Sequence, residues 1–295
     1  PPKPVYAPME AHPVETVPLG VEWQYEPKWD GFRCIVFHTS AGAYLQSKSG
    51  RPLSRYFPDV VQAVSRVIPP AVVLDSEIVI PVGGRLSFDE LLLRVHPAAT
   101  RVRTLAEKHP AMLVIFDLLR DERGKSLVME PLRIRRAALE RLAARFLANT
   151  PEIRLSPAST DPRQATRWFK AAGGNLDGII AKRLDMPYRS GLRDGMQKVK
   201  HRRTADCVVG GFRYATGKDV VGSLLLGLYD RQGDLNHVGF TSSFTREERR
   251  QVTKIVRPLS GASPFTGLAP GRPSRWSKRA ENDWQPMRPT LVAEV

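Results

Sequence analysis

A lysine followed closely by a carboxylate, a glycine and an arginine marks the first reactive stretch of this chain: Lys28-Trp29-Asp30-Gly31-Phe32-Arg33. A lysine amine attacks phosphorus or carbonyl carbon only after losing its proton, which neighbouring cations assist. Taken alone, the run reads as a surface Lys beside an Asp, so its meaning depends on its company. Downstream stand Asp75-Ser76-Glu77, Phe116-Asp117, Asp177-Gly178-Ile179-Ile180-Ala181-Lys182 and Lys198-Val199-Lys200. Carboxylates of the Glu77 and Asp177 type hold a hard cation such as Mg²⁺ through oxygen and leave positions for substrate phosphates. Strand alternation puts Lys198 and Lys200 on one face, where two ammonium groups neutralise a phosphate during transfer. The set describes a nucleophilic amine, a metal and a phosphate.

Several other chemistries are excluded. No G-x-x-x-x-G-K-[ST] run occurs; the nearest text, from Gly211 to Lys218 and Asp219, has the wrong spacing and lacks the hydroxyl. None of the six histidines (12, 38, 96, 109, 201, 237) stands at metal-ligand spacing with another. Two cysteines, Cys34 and Cys207, cannot build a disulfide framework or a four-cysteine zinc site, which fits a reducing compartment.

Positioning these residues takes a globular chain. Its 295 residues are 42% hydrophobic and 25% charged, a composition that can bury a core, and the length suits two domains. Lys plus Arg number 45 against 30 Asp plus Glu, a net charge of +15 of which +9 lies in residues 1–200 and +6 in the remainder. Two basic segments suit a polyanion held between two lobes, although plain solubility accounts for the charge equally well. No run approaches 18 apolar residues, and residues 1–12 lack the basic and apolar regions of a signal peptide. A cytoplasmic protein with no membrane partner is expected.

The elements follow from periodicity. Residues 33–38 read as a strand, 40–42 as a turn and 43–47 as a returning strand. Residues 59–68 have helical spacing and stop at Pro69-Pro70; 72–80 form a strand with Asp75, Glu77 and Val79 on one face. Ser87 opens a short helix to Arg94, and 112–119 are another strand. Residues 132–147 form the clearest helix, with Ile134, Ala138, Leu142 and Phe146 as its apolar stripe and the arginines as a solvated face. A further helix starts at Asp161-Pro162 and stops at Gly173-Gly174; strands follow over 178–182 and 197–200. Beyond His201, strands over 207–214, 223–230 and 235–241, a helix from Thr245 to about Val256 and a strand over 291–295 outline a small β-barrel such as an OB-fold.

The ordered series K-x-D-G, D-S-E, F-D-L-L, D-G-I-I-A-K and K-V-K resembles the motif series of the covalent nucleotidyltransferases, most closely the ATP-dependent DNA ligases of bacterial repair and end joining. The likeness runs from Pro8-Met9 through residues 291–295. It implies an α+β adenylation domain over residues 1–202, with antiparallel sheets and flanking helices. An all-β OB-fold domain over residues 203–295 would follow.

By the same resemblance Lys28 attacks the α-phosphate of ATP and carries the nucleotide as covalent AMP. AMP then passes to a DNA 5′-phosphate, and the neighbouring 3′-hydroxyl displaces it. Asp30, Lys198 and Lys200 join Lys28 in the catalytic set. Glu26 contacts the adenine amino group, Arg33 the ribose end, and Phe116 stacks on adenine. Glu77 and Asp177 serve ribose and metal, Mg²⁺ or Mn²⁺, while Lys182, Lys198 and Lys200 contact phosphates. The implied partner is nicked or broken duplex DNA, with repair polymerases or end-binding proteins alongside. A monomer in the bacterial cytoplasm or nucleoid is implied.

Three departures from the family pattern stand out. Lys48, in Ser47-Lys48-Ser49-Gly50, replaces an arginine and keeps the charge without bidentate phosphate binding. Asp177 replaces a glutamate and is one methylene shorter. The family's last basic motif lies beyond the strand that resembles residues 291–295, so the OB-fold domain is expected to lack its C-terminal end. An RNA ligase, a capping-type guanylyltransferase and a catalytically silent nucleic-acid-binding module remain as rivals. Trp276, Trp284 and the basic run 272–279 stay open between a DNA contact and an exposed loop, and residues 201–203 read as a basic hinge.

Overall fold

The computed structural model describes residues 6–171, 176–200, 204–270 and 283–295. The chain divides into two compact units, Pro1–His201 and Arg202–Val295.

In the first unit two sheets face each other. One is ordered His12–Pro13, Met196–Lys200, Leu176–Arg183, Trp23–Trp29. The other is ordered Gly42–Ser47, Phe32–Thr39, Val73–Val79, Met112–Arg120, Ile153–Leu155. Neighbours run antiparallel except at one short edge of each sheet, where His12–Pro13 and Ile153–Leu155 pair in parallel.

Strand alternation sorts the side chains into layers. Cys34, Val36, Leu74, Ile78, Leu113 and Ile115 pack against the helices Pro58–Val67 and Leu132–Phe146. Ile35, Phe37, Val73 and Leu119 point the other way, toward Ile180 and Met196 of the facing sheet. Trp23, Tyr25, Ile179 and Ala181 close the outer face of that sheet under Ala165, Trp168 and Phe169. The intervening positions, Gln24, Glu26 and Lys28 on one sheet and Arg33, Asp75 and Glu77 on the other, therefore turn into the space between the sheets.

The helix Leu132–Phe146 corrects one expectation. Its buried residues are Leu132, Arg135, Arg136, Leu139, Leu142 and Ala143, while Ile134 is 44% exposed. The inward face is rotated from the apolar stripe because two arginines occupy core positions. Arg135 pairs with Asp117 through Nε and Nη2 (2.8 and 2.9 Å), and Arg136 donates to Glu140 (2.7 Å) and to the Ser156 carbonyl (2.9 Å). Periodicity counts apolar letters and misses a guanidinium whose charge is matched by a buried carboxylate.

The second unit is a five-stranded antiparallel sheet with the OB-fold outline. Asp206–Tyr214 pairs with Val221–Tyr229, Gln285–Pro286 and Val292–Glu294, and Leu235–Thr241 adds to the far side of Val221–Tyr229. The helix Arg246–Val256 starts in a capping box between Thr245 and Glu248 and buries Val256 against Cys207, Val209, Phe212 and Leu224. Trp284 packs edge-on against Phe265 at 5.7 Å. Gly173-Gly174, the basic stretch 201–203 and the run 272–279 with Trp276 lie outside the described residues. Among the described residues no helix is long and apolar enough to cross a membrane.

Candidate functional site

Lys28 is the second-to-last residue of the strand Trp23–Trp29, and only Asp30 and Gly31 separate that strand from Phe32–Thr39 in the facing sheet. A chain that changes sheets within two residues has no room for a side chain at the crossing: a Cβ on Gly31 would stand 2.2 Å from the Ile78 carbonyl oxygen. The glycine of the K-x-D-G run is thus set by close approach, which brings Lys28 and Arg33 to one site on two sheets. Asp30, at the crossing, is exposed.

Across the first sheet, Lys28 Nζ lies 2.7 Å from Asp177 Oδ2, and Lys200 Nζ lies 3.1 Å from the same oxygen. Regular alternation would put Asp177 on the outer face with Ile179 and Ala181. A register shift between Leu176 and Gly178, with Gly178 at φ 141°, turns its carboxylate inward. Burial works to raise the Asp177 pKa, but hydrogen bonds and charge from Lys28 and Lys200 outweigh it and hold the carboxyl below its ordinary value.

Farther along the same strands, Lys182 Nζ donates to Glu26 Oε2 at 2.8 Å, and Gln24 Nε2 donates to Glu26 Oε1 at 2.8 Å. This ion pair is buried. Lys182 Nζ also sits 4.6 Å from the centroid of the Phe116 ring, and the Arg33 guanidinium carbon 4.7 Å from it. Phe116 points inward by ordinary alternation, and next to it lies a second bulge, a register shift in the pairing of Asp75 and Ser76 with Asp117 and Ile115. Residues 113 and 115 face the helices and residue 118 does so again, so the extra residue turns Asp117 inward beside Phe116.

Glu77 is held in the inner layer with no ion pair to a described residue. Burial pushes its carboxyl up to about 7, against the charges of Arg33 and Lys28 and with those of Asp75 and Asp30. Among the described residues no group of three or more His, Cys, Asp or Glu is arranged to hold a metal ion. Glu77 and Asp177 flank Lys28 as two separate oxygen donors. That pattern fits a divalent cation completed by substrate phosphate and water rather than an all-protein cage.

Lys198 has no ion pair to a described residue, and burial followed by the charges of Lys200, Lys28, Lys48 and Arg193 lowers its pKa. Lys48, 60% exposed, pairs with Glu10 at 3.2 Å, and Arg193 pairs with the same Glu10 oxygen at 2.8 Å. The structure therefore gathers Glu26, Lys28, Arg33, Glu77, Phe116, Asp177, Lys182, Lys198 and Lys200 into one site, with Asp30 and Lys48 at its edge.

Sequence reasoning missed Tyr188, Arg135, Glu10 and Arg193. Tyr188 donates its hydroxyl to Asp75 Oδ2 at 2.6 Å, and the Arg135 guanidinium lies 5.7 Å from its ring. Tyr188 belongs to no strand or helix, so no periodicity marks it. Its available signal is a large aromatic beside Pro187 in a polar loop.

Facing sheets that enclose a lysine, two carboxylates and a cluster of cations define the class, a nucleotidyltransferase followed by an OB-fold unit. Two family profiles match: "ATP dependent DNA ligase domain" over residues 8–200 and "ATP dependent DNA ligase C terminal region" over residues 217–295. The chain is 43% identical over 302 residues to "DNA ligase C1" of Mycolicibacterium smegmatis, covering 100% of this chain and 84% of that protein. It is 32% identical over 280 residues to "Multifunctional non-homologous end joining DNA repair protein LigD" of Mycobacterium tuberculosis, covering 93% of this chain and 34% of that protein. A solved structure described as "mycobacterial DNA ligase D complexed with ATP and MES" is 29% identical with a TM-score of 0.57, covering 98% of this chain and 88% of that one. The chain belongs to the ATP-dependent DNA ligase family.

Proposed function

We propose that this ATP-dependent DNA ligase seals nicks or breaks in duplex DNA through an AMP carried on Lys28. The observation that carries the reading is the position of Lys28 Nζ, 2.7 Å from Asp177 and within the charge field of Glu77, between two facing sheets.

In the first step the neutral Lys28 amine attacks the α-phosphorus of ATP. A P–N bond forms, the bond to the bridging oxygen breaks, pyrophosphate leaves, and the nitrogen gives up one proton to solvent. Lys198 and Lys200 stand where added negative charge on the phosphates is neutralised. Next an oxygen of a DNA 5′-phosphate attacks the same phosphorus, the P–N bond breaks, and the leaving nitrogen takes up a proton, which regenerates the lysine amine. Finally the DNA 3′-hydroxyl attacks the 5′-phosphorus, its proton departs to solvent, and AMP leaves.

Phe116 supplies a planar face for adenine, with Glu26 near the adenine edge and Arg33 at the ribose. Glu77 and Asp177 would hold a divalent cation, Mg²⁺ or Mn²⁺, which supplies charge neutralisation at the phosphates. Duplex DNA is held chiefly through its phosphates by the excess positive charge, so binding weakens with salt. The relative named for non-homologous end joining supports broken ends as a substrate beside nicks, with end-binding or repair polymerase proteins as companions.

Intact mass before and after incubation with ATP and a divalent cation is the deciding test. A mass gain of one AMP, absent in Lys28→Ala, is expected. No adduct in the parent chain, together with no sealing of a pre-adenylylated nick, overturns the reading; an adduct formed from GTP rather than ATP moves it to a capping-type enzyme.

A further inference from the structure

Four groups close a ring beside the Phe116 face. The Met9 amide donates to the Tyr188 hydroxyl at 3.0 Å, and Tyr188 donates to Asp75 Oδ2 at 2.6 Å. Arg33 donates from Nε and Nη2 to the two oxygens of Asp75, at 2.5 and 2.6 Å, and from Nη2 to the Met9 carbonyl at 3.3 Å. Asp75 is fully buried and Tyr188 is 4% exposed.

A phenol has one proton to give. With the Met9 amide donating to its oxygen, the Tyr188 hydroxyl has a single role left, as donor to Asp75. The Asp75 carboxylate thus accepts from three N–H or O–H groups, and the third of them is what separates a fixed carboxylate from one free to turn together with its arginine. Arg33 in turn commits Nε and Nη2, while the two N–H groups of Nη1 make no hydrogen bond to a described residue. Its guanidinium carbon stands 4.7 Å from the centroid of the Phe116 ring.

The hydroxyl does not hold the Tyr188 ring in place. That ring sits in the apolar cluster with Met9, Phe37 and Met196, and under the Arg135 guanidinium, which Asp117 and the Glu130 and Met186 carbonyls hold. Packing and positioning are carried by different parts of one side chain, so they can be separated by removing a single oxygen.

We infer that Tyr188 is a positioning residue for nucleotide binding: its hydroxyl fixes Asp75, and through Asp75 the Arg33 guanidinium over Phe116, leaving Nη1 to meet the ribose end. The inference rests on the reading of Arg33 and Phe116 as nucleotide contacts given under Proposed function.

The test is Tyr188→Phe in the full chain, with the rate of lysyl-AMP formation followed against ATP concentration. The ATP concentration for half-maximal rate is expected to rise about tenfold, the size of one hydrogen bond to a charged group. The rate at saturating ATP stays within about twofold and the melting temperature within a few degrees. In an Asp75→Asn background, Tyr188→Phe adds no further change, because the route through Asp75 is already altered.

An unchanged ATP dependence, a joint loss of saturating rate and melting temperature, or full additivity with Asp75→Asn overturns the inference. Arg33→Lys separates the two levels of failure. Unchanged ATP dependence in Arg33→Lys overturns the nucleotide role of Arg33 and this inference with it. A tenfold rise there with none in Tyr188→Phe overturns only the positioning by Tyr188.

Discussion

Lys28 Nζ and Lys200 Nζ both reach Asp177 Oδ2, at 2.7 and 3.1 Å, so one carboxylate oxygen holds the proposed nucleophile and a second lysine together. The pair is partly open, with 22% of the Lys28 side chain and 27% of the Asp177 side chain exposed. Ion pairs in such settings contribute little to stability, about 0–1 kcal/mol. Under the proposed function its value therefore lies in the reaction. Asp177→Asn is expected to slow lysyl-AMP formation by roughly 10²-fold while shifting the melting temperature by no more than a few degrees, read by intact mass over time and by calorimetry.

Gly178 makes that geometry possible. A Cβ there would stand 2.0 Å from the Val199 carbonyl oxygen, and the backbone at φ 141° disfavours any L side chain. Gly178→Ala is expected to cost about 2–4 kcal/mol and to slow adenylylation more than Asp177→Asn does, because the bulge, Asp177 and the pairing to Lys200 move together. Thermal unfolding and a single-turnover adenylylation assay check both parts.

Arg135 and Asp117 form a buried bidentate pair. Removing one partner leaves an uncompensated charge in the core, which typically costs about 3–5 kcal/mol. Arg135→Met is expected to fall in that range by denaturant unfolding, while Arg141→Met on the exposed side of the same helix stays within about 0.5 kcal/mol of the parent.

Glu10 sits among cations, paired with both Lys48 and Arg193. Burial works to raise its pKa, but these two partners outweigh it and hold the carboxyl below its ordinary value of 4.5. A depressed carboxyl stabilises the fold above its unfolded pKa, and that stability is lost as pH falls through the folded value. Glu10→Gln should therefore flatten part of the melting profile below about pH 4.5. At neutral pH the freed cations favour polyanions, and inhibition of adenylylation by added pyrophosphate is expected to strengthen by about fivefold. Equal pyrophosphate inhibition in parent and variant would show that Glu10 does not compete for these cations.

Legibility in the sequence followed the physics of each element. The strands and helices that were read came close to their observed bounds because their signals are local: the Pro-Pro stop after 59–68, the capping pair Thr245 and Glu248, the turn at 40–42; the helix Ala99–Lys108, which has no side-chain cap at its start, went unread. The site lysines and carboxylates were legible as an ordered series. The helix Leu132–Phe146 was read, but its inward face was not, because Arg135 and Arg136 replaced apolar letters there. Tyr188 was invisible because its partners, Met9 and Asp75, lie 179 and 113 residues away.

By itself the sequence determined which reactive groups exist, their order, and the glycines that let the backbone cross at Gly31 and turn at Gly178. Tertiary structure alone decided which of them meet. Two bulges moved Asp117 and Asp177 off the face that regular alternation assigns them. Pairing across facing sheets set Lys182 on Glu26 and Arg33 on Asp75, and a loop tyrosine became the anchor of that arginine. The reason is physical: strand alternation is a local rule with a period of two residues, whereas a bulge or a long-range hydrogen bond is settled only when distant strands come into register.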